Sequence, residues 1–560
     1  MDKAFKPAPI TITLADGHRI KRRPGICAGE LEICSGRHLG YPVIACLVNN
    51  EVCSLRYPLE VNSRLAPLTV RDRLGWRVYR DSLAFLLAKV TAELFPRARL
   101  AVEHSLGSGF FCSFENIHGK DLTAAQAAQI AAAMREAVQA NLPIRRLRMA
   151  YDDALKIFTK YGQQDKYNLL CFRNQPKVVL YTCDGFADLA HGPLAPATGV
   201  LGKFDIIHYP PGLVLQLPEQ EQPRRMRKFR DQPQLFRIFQ QHKHWGRMLG
   251  VHNVGMLNAI IARGETGNFI RIAESFHEKR IAELADLIAA RRRKVKIILI
   301  SGPSSAGKTT LAKRLAVQLQ VNGIKTSTIS LDNYYVDDPD TPRDEAGQPD
   351  YEHINAVDVP LFNRNMLALI KGRPIDLPYF NFNTKRREFR GEKMQLPPGQ
   401  MLIVEGIHGL NPRFSPMIAN ANKFRIYISA LTQLNLDANN RISTTDNRLM
   451  RRIVRDYRYR GNAPGATLRM WPSVRRGEKT WIFPFQTHAD FVFNSALDYE
   501  LAVLKPMLTP ILTEIKPSQP EYAEARRMQA FLDYFLEVPI SDVPTTSILR
   551  EYIGASSFKY

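Results

Sequence analysis

Eight residues constrain this chain's architecture more than any others. Gly302-Pro303-Ser304-Ser305-Ala306-Gly307-Lys308-Thr309 has the spacing G-x-x-x-x-G-K-[ST]. It follows the apolar run Val295 to Ile300 and precedes Thr309 to Leu319, where Leu311, Leu315 and Leu319 share one helical face. Strand, glycine-rich turn and helix in that order make a cradle for phosphate. The glycines let backbone N–H groups close around phosphate oxygens, and the helix N-terminus adds the positive end of its dipole. Lys308 is expected to reach β- and γ-phosphates, and the Thr309 hydroxyl to ligate Mg²⁺. The expected ATP contacts are therefore Gly302, Pro303, Ser304, Ser305, Ala306, Gly307, Lys308, Thr309 and the adjoining Thr310.

The residues that follow alternate between strand and helix patterns. Strands are expected at Thr326 to Leu331, Met401 to Val404, Phe424 to Ile428 and Phe491 to Phe493. Such alternation builds a parallel sheet covered by helices on both faces, with ligands at the C-terminal ends of the strands. Asp332 falls at that end of the second strand, suited to act as a base on an acceptor hydroxyl or to hold metal. Leu402-Ile403-Val404-Glu405-Gly406 delivers a second carboxylate to the same edge. Further on, Arg448, Arg452 and Arg455 recur at helical spacing, a cationic face able to neutralise transferring phosphate.

Together these segments resemble the uridine kinase and phosphoribulokinase family over roughly Lys294 to Leu512. Leu331-Asp332-Asn333-Tyr334-Tyr335 corresponds to the family's catalytic Asp segment. Asp350-Tyr351-Glu352-His353-Ile354-Asn355-Ala356 resembles its Asn-Phe-Asp-His-Pro-Asp-Ala stretch, which implies that Glu352 holds ribose hydroxyls. Thr445 to Asp456 is similar to the family's lid helix. Arg452, Arg455 and Arg460 fall on its phosphate- and substrate-facing arginines, while Asn462 stands where another arginine is usual. The Pro-x-Tyr-Asp-Phe-x-x-His-x-Arg segment appears as Pro378 to Arg387. Phe380 keeps the aromatic that lies against the base, Asn381 replaces the Asp, and Lys385 replaces the histidine that reads the pyrimidine. The resemblance thus implies catalytic roles for Asp332, Lys308, Arg452 and Arg455, and metal contacts at Thr309, Asp332 and Glu405. Substrate contacts are expected at Tyr335, Glu352, Phe380, Lys385, Arg387 and Arg460. The implied activity is transfer of the γ-phosphoryl of Mg²⁺·ATP to a nucleoside 5′-hydroxyl, of uridine or cytidine first. Lys385 and Arg387 keep a phosphosugar acceptor open, and an RNA-binding regulator switched by ATP is the alternative of another class.

The first half carries a different resemblance. Short alternating strands from about Pro9 to Pro67, with turn signals at Asp16-Gly17 and Asn49-Asn50, look like a TGS domain. The stretch from Leu68 to about Leu217 looks like the editing region of threonyl-tRNA synthetase. The matching text is Gly75 to Ser82, Gly107 to Phe111, and Asp184 to Pro193. Editing regions of that kind use a His-x-x-x-His and a Cys-x-x-x-His pair. Here those positions hold Phe85 and Lys89, then Ala190 and Leu194, so no deacylation constellation remains. His104 and His191 survive nearby.

A length of 560 residues exceeds what one core supports, and the expected order is five segments. They are a β-rich unit over 1–67, an α+β unit over 68–217, a basic helical connector over 218–293 that includes Arg224 to Lys228, an α/β doubly wound P-loop kinase domain over 294–520, and a helical tail over 521–560. A formal charge of +23 suits polyanionic partners, and RNA contact through the basic N-terminal half is one expectation. All seven cysteines lie in the first third with no Cys-x-x-Cys pair, the pattern of reduced thiols. No uncharged stretch approaches the ~20 residues of a membrane span. The reading is cytoplasmic, with a nucleoside or sugar acceptor, further copies of this chain as partners, and no membrane.

Overall fold

Alternation along one strand sets the centre of the second half. Ile298 and Ile300 enter one apolar layer, and Ile297 and Leu299 the opposite one, so the strand is covered on both faces. In the computed structural model, which describes residues 8–559 apart from 118, 120, 346 and 383, the elements here run in the following order. β1 (Ile297–Ser301) leads through the phosphate loop to α1 (Lys308–Val321), then β2 (Thr326–Ser330) and α2 (Val359–Ile370). The hairpin β3 (Ile375–Asn381) and β4 (Arg386–Met394) precedes β5 (Met401–Gly406) and β6 (Lys423–Ser429). α3 (Thr444–Tyr459) and α4 (Pro464–Trp481) lead to β7 (Phe491–Asn494) and α5 (Glu500–Thr513). α6 (Tyr522–Leu532) and the single turn α7 (Arg550–Ile553) close the chain.

The sheet order is β2–β5–β1–β6–β7, and every neighbouring pair is parallel. The four strands expected downstream of the loop all form, each within two residues of its expected ends. The β3–β4 hairpin was not anticipated.

In the first half, Ile10–Leu14 pairs with Arg19–Arg22 and, in parallel, with Ser63–Thr69, which in turn joins Tyr41–Val48. The β-rich unit expected from residue 1 has its first seven residues outside the described ones. Both turn signals hold. Gly17 sits at φ +87°, and Asn49 and Asn50 at +49° and +61°, the left-handed pair of a two-residue hairpin. Only three residues separate helix Arg73–Leu94 from the strand ending at Thr69. Gly75 allows this: a Cβ there would lie 1.9 Å from the Thr69 carbonyl oxygen, so the helix start presses directly on the preceding strand.

Two expectations about organisation are corrected by the packing. Arg224 to Lys228 is not helical: Pro223 and Pro233 frame it, and helix begins only at Pro233–Met248. Arg224 lies over the Tyr41 ring at 5.1 Å, and Arg227 pairs with Glu219 at 2.8 Å. The presumed tail is also no tail. Met528, Leu532, Phe535, Ile548 and Tyr552 belong to the same apolar cluster as Ile298, and so do Leu257, Ile270 and Leu284 of the connector helices Val254–Ala262 and Thr266–Ala289.

The halves meet through the loop between β6 and α3. The Val102 N–H donates to the Ala438 carbonyl at 2.8 Å, the Ala438 N–H to Asp165 at 2.7 Å, and Asn439 to Asp188 at 2.6 Å. Asp188 also carries a buried ion pair with Lys166 at 2.6 Å. All seven cysteines are free. Among the described residues no helix is long and apolar enough to cross a membrane.

Because connector and kinase sheet share one core, Leu257→Ala is expected to cost about 3 kcal/mol. Hydrogen exchange should then show β1 and α7 loosening together with the connector. Loosening confined to the connector contradicts a shared core.

Candidate active site

Strand register alone brings the loop and its carboxylates together. Glu405 sits opposite Ile300 on one side and Ser330 on the other, so β1, β5 and β2 end at one level. The phosphate loop leaves β1 there, and Asp332 follows β2 by two residues, its N–H held by Ser330 Oγ at 3.3 Å. Thr309 Oγ1 lies 3.4 Å from Glu405 Oε1. Lys308 Nζ donates to the carbonyls of Gly302 and Pro303 at 3.2 and 3.3 Å. The glycines are required by geometry: a Cβ on Gly302 would lie 2.0 Å from the Ile428 carbonyl oxygen, and Gly307 stands at φ +87°. Ser305 Oγ is buried within the loop without a partner.

Burial and the nearby Asp332 carboxylate push Glu405 up to about 7. Glu352 rises equally, to about 7, through burial and the Glu478 carboxylate, although Arg452 and Lys308 pull the other way. One Glu352 oxygen, Oε2, is buried with no hydrogen-bond partner. Tyr335 lies among these groups, its hydroxyl held well above its ordinary value by burial and by the Asp332 and Glu352 carboxylates.

α3 supplies the arginines, with Ser443 capping its start by accepting the Thr445 N–H at 3.2 Å. Arg452 reaches Ser304 Oγ at 2.9 Å and Asp456 at 3.1 Å; Arg455 reaches Asp456 at 2.7 Å, and Arg460 reaches the same carboxylate at 3.7 Å. Burial opposes a charge on Asp456, yet Arg455, Arg452 and Arg460 hold its carboxyl below the ordinary range. Arg448 behaves differently from its expected face-mates. It donates to the Ser304 carbonyl at 2.9 Å and forms a fully buried pair with Glu478, so it braces the loop. Glu478 also accepts the Ser304 N–H at 3.2 Å.

Neither Asp456 nor Glu478 was singled out from sequence. Asp456 had a signal, four residues after Arg452 on one helix face; Glu478 had one only in Arg475, three residues before it and paired with it at 2.7 Å, while Arg448 and Ser304 reach it from across the fold.

The acceptor side is aromatic. Tyr335 meets Phe380 edge-on at 5.4 Å and Tyr351 at 5.6 Å, and Phe382 packs on Phe380 at 5.2 Å. Gly477 makes room for Glu352, whose Cβ would lie 2.2 Å from a Cβ there. Lys385 lies 3.8 Å from Asp338, and Arg387 pairs with Asp358 at 2.9 Å. Asp358 is at the same time the N-cap of α2.

In the first half, the four positions read as lost editing groups hold packing residues. Phe85 meets Phe186 edge-on at 5.3 Å, and Phe85 and Leu194 share one apolar cluster with Ala190 against it. Lys89 is buried against Glu93, with Asp184 at 3.9 Å. His104 stacks on Phe239 at 3.6 Å and burial holds its pKa well down; His191 pairs with Asp437 at 3.2 Å.

The raised carboxyls have a consequence for stability. In the folded chain Glu405 and Glu352 keep protons that an unfolded chain releases near 4.5, so stability falls as pH rises from there to about 7. Glu405→Gln should flatten part of that decline in urea unfolding of the ligand-free protein and leave the variant more stable at about pH 8. An unchanged slope contradicts the assignment.

Residues 297–502 match the model of the phosphoribulokinase / uridine kinase family. The N-terminal part is similar to threonine–tRNA ligases: that of Desulforamulus reducens is 31% identical over 201 residues, covering 35% of this chain and 31% of the ligase. That of Marinobacter nauticus is 30% identical over 197 residues, covering 35% and 30%. The chain thus spans about a third of the length of the curated relatives it matches. Among solved structures, a possible uridine kinase from Bacillus stearothermophilus shares 21% identity, covering 39% of this chain and 98% of that one, with a TM-score of 0.26. A D-glycerate 3-kinase from Cryptococcus neoformans shares 16%, covering 46% and 87%, with a TM-score of 0.21. Phosphate loop, carboxylates at the strand ends and family match agree: residues 297–502 form a P-loop kinase region that matches the phosphoribulokinase / uridine kinase family model.

Proposed function

We propose that this chain phosphorylates the 5′-hydroxyl of a pyrimidine nucleoside, uridine or cytidine, with Mg²⁺·ATP as donor. The observation that carries the choice of acceptor is the Glu352 Oε2 atom. It is a buried polar atom with no partner, close enough to Tyr335 to act on its hydroxyl, and Tyr335 packs on Phe380 and Tyr351. A ribose hydroxyl, able to donate or to accept, supplies the partner that this oxygen lacks, and a flat base suits the rings.

Lys385 and Arg387, the residues that kept a phosphosugar open, are engaged by Asp338 and Asp358. A second phosphate on the acceptor would have to displace those carboxylates, which favours an uncharged nucleoside. The Thr309 hydroxyl and the carboxylates of Glu405 and Asp332 are the hard oxygen donors that Mg²⁺ takes. Bound there, the ion would neutralise charge on the transferring phosphates.

The protein's own groups divide the remaining work. Asp332 accepts the proton of the attacking hydroxyl as the new O–P bond forms and the bond from the γ-phosphorus to the bridging oxygen of ADP breaks. Lys308 exchanges the Gly302 and Pro303 carbonyls for β- and γ-phosphate oxygens. Arg452, Arg455 and Arg460 offset the charge that develops, and their common partner Asp456 keeps them aligned when no nucleotide is bound. The first half, with apolar and ion-paired residues at the four editing positions, is proposed as a non-catalytic module that contacts RNA or senses a ligand.

Initial rates with uridine, cytidine and a panel of phosphosugars test the proposal. Turnover is expected with the nucleosides, with kcat falling about 10²- to 10⁴-fold in Asp332→Asn. Phe380→Ala should raise KM for the nucleoside more than it lowers kcat. Turnover confined to phosphosugars would overturn the acceptor and keep the mechanism.

A further inference from the structure

The phosphate loop touches a segment that no kinase motif covers. The family match ends at residue 502, yet the last turn of the chain, α7, lies against the loop and the start of α1. Ile548 Cγ2 lies 2.9 Å from where a Cβ on Gly307 would stand, and the Tyr552 hydroxyl 3.8 Å from the same point. That hydroxyl is fully buried and has no hydrogen-bond partner. Glu551, between them, directs one oxygen at Thr310: Oε2 accepts the Thr310 N–H at 3.3 Å and the Thr310 Oγ1–H at 2.7 Å.

Those two donors have another use. Thr310 is the third residue of α1, and the first N–H groups of a helix have no partner within it. Behind a glycine-rich loop they are the groups that hold phosphate. An acidic side chain at a helix start is often only a stabilising cap. Here the carboxylate arrives from the other end of the chain, takes both donors of one residue with one oxygen, and comes with a side chain seated on Gly307 inside the loop. An incoming phosphate would meet a full negative charge at Thr310.

We infer that Glu551 determines nucleotide affinity by occupying the two Thr310 donors, which a nucleotide phosphate takes only after the carboxylate withdraws. The inference rests on the reading of residues 302–310 as an ATP site, and deepens it by adding the C-terminal turn as a competitor for that site.

Calorimetric titration of Mg²⁺·ATP into the full chain separates the outcomes. Glu551→Gln keeps an acceptor oxygen for Thr310 and removes the charge. It is expected to bind ATP about tenfold more tightly than the unsubstituted protein, at a nearly unchanged thermal midpoint. A lower midpoint with equal or weaker ATP binding makes Glu551 a structural cap and overturns the inference. The unsubstituted protein gives an independent readout: ATP should raise hydrogen exchange across residues 547–554, and unchanged or greater protection there overturns the inference as well. ATP binding that tightens in Glu551→Gln without turnover on any acceptor upholds the inference while the proposed reaction fails. No ATP binding by either protein sinks both.

Discussion

A buried ion pair between Arg448 and Glu478 holds the phosphate loop, and much of the second half is arranged around it. Both side chains are almost fully shielded from water, and both reach Ser304, one through its carbonyl and one through its N–H. Removing one member of such a pair leaves an uncompensated buried charge, at a cost of about 3–5 kcal/mol. The pair fixes α3 and α4 against the loop, and with them Arg452 on Ser304 and Gly477 against Glu352. Nucleotide side and acceptor side therefore share one brace.

The same helix ties the site to the first half. Asp446, in the first turn of α3, takes a two-point contact from Arg527 at 2.9 Å, and Arg527 shares Glu524 with Arg73 and Arg77 of the long N-terminal helix. Just ahead of α3, the loop carrying Asp437, Ala438 and Asn439 is hydrogen-bonded into the first half. A ligand on the first half that moved the Arg73–Leu94 helix would reach the arginines of α3 through three charged contacts. The region is similar in sequence to threonine–tRNA ligases, while Phe85 and Leu194 are buried in one apolar cluster with Phe186 packed against it.

Local features were legible from sequence wherever a short stretch carries its own reason. The phosphate loop, the four strands after it and the Asn49-Asn50 turn depend on glycines, apolar runs or left-handed residues close together in the chain. The placement of Asp332 and Glu405 at one edge was legible because each follows or ends an apolar strand of a parallel sheet. What sequence did not yield is what long-range packing decides. Arg448 looked like one of three equivalent arginines until Glu478 arrived from thirty residues away. Residues beyond 520 looked like a tail, because burial of Ile548 and Tyr552 depends on a core made elsewhere. Arg224 to Lys228 looked helical by charge and composition, but the flanking prolines prevailed.

The central claim is transfer of a phosphoryl group to a nucleoside at the edge where β1, β2 and β5 end. The most direct measurement follows the group itself: ATP carrying ¹⁸O on its γ-phosphoryl oxygens, incubated with uridine and the full chain, with products read by mass spectrometry. The account predicts labelled uridine 5′-monophosphate, formed one for one with ADP. Label appearing only in inorganic phosphate, or staying in ATP, would contradict it.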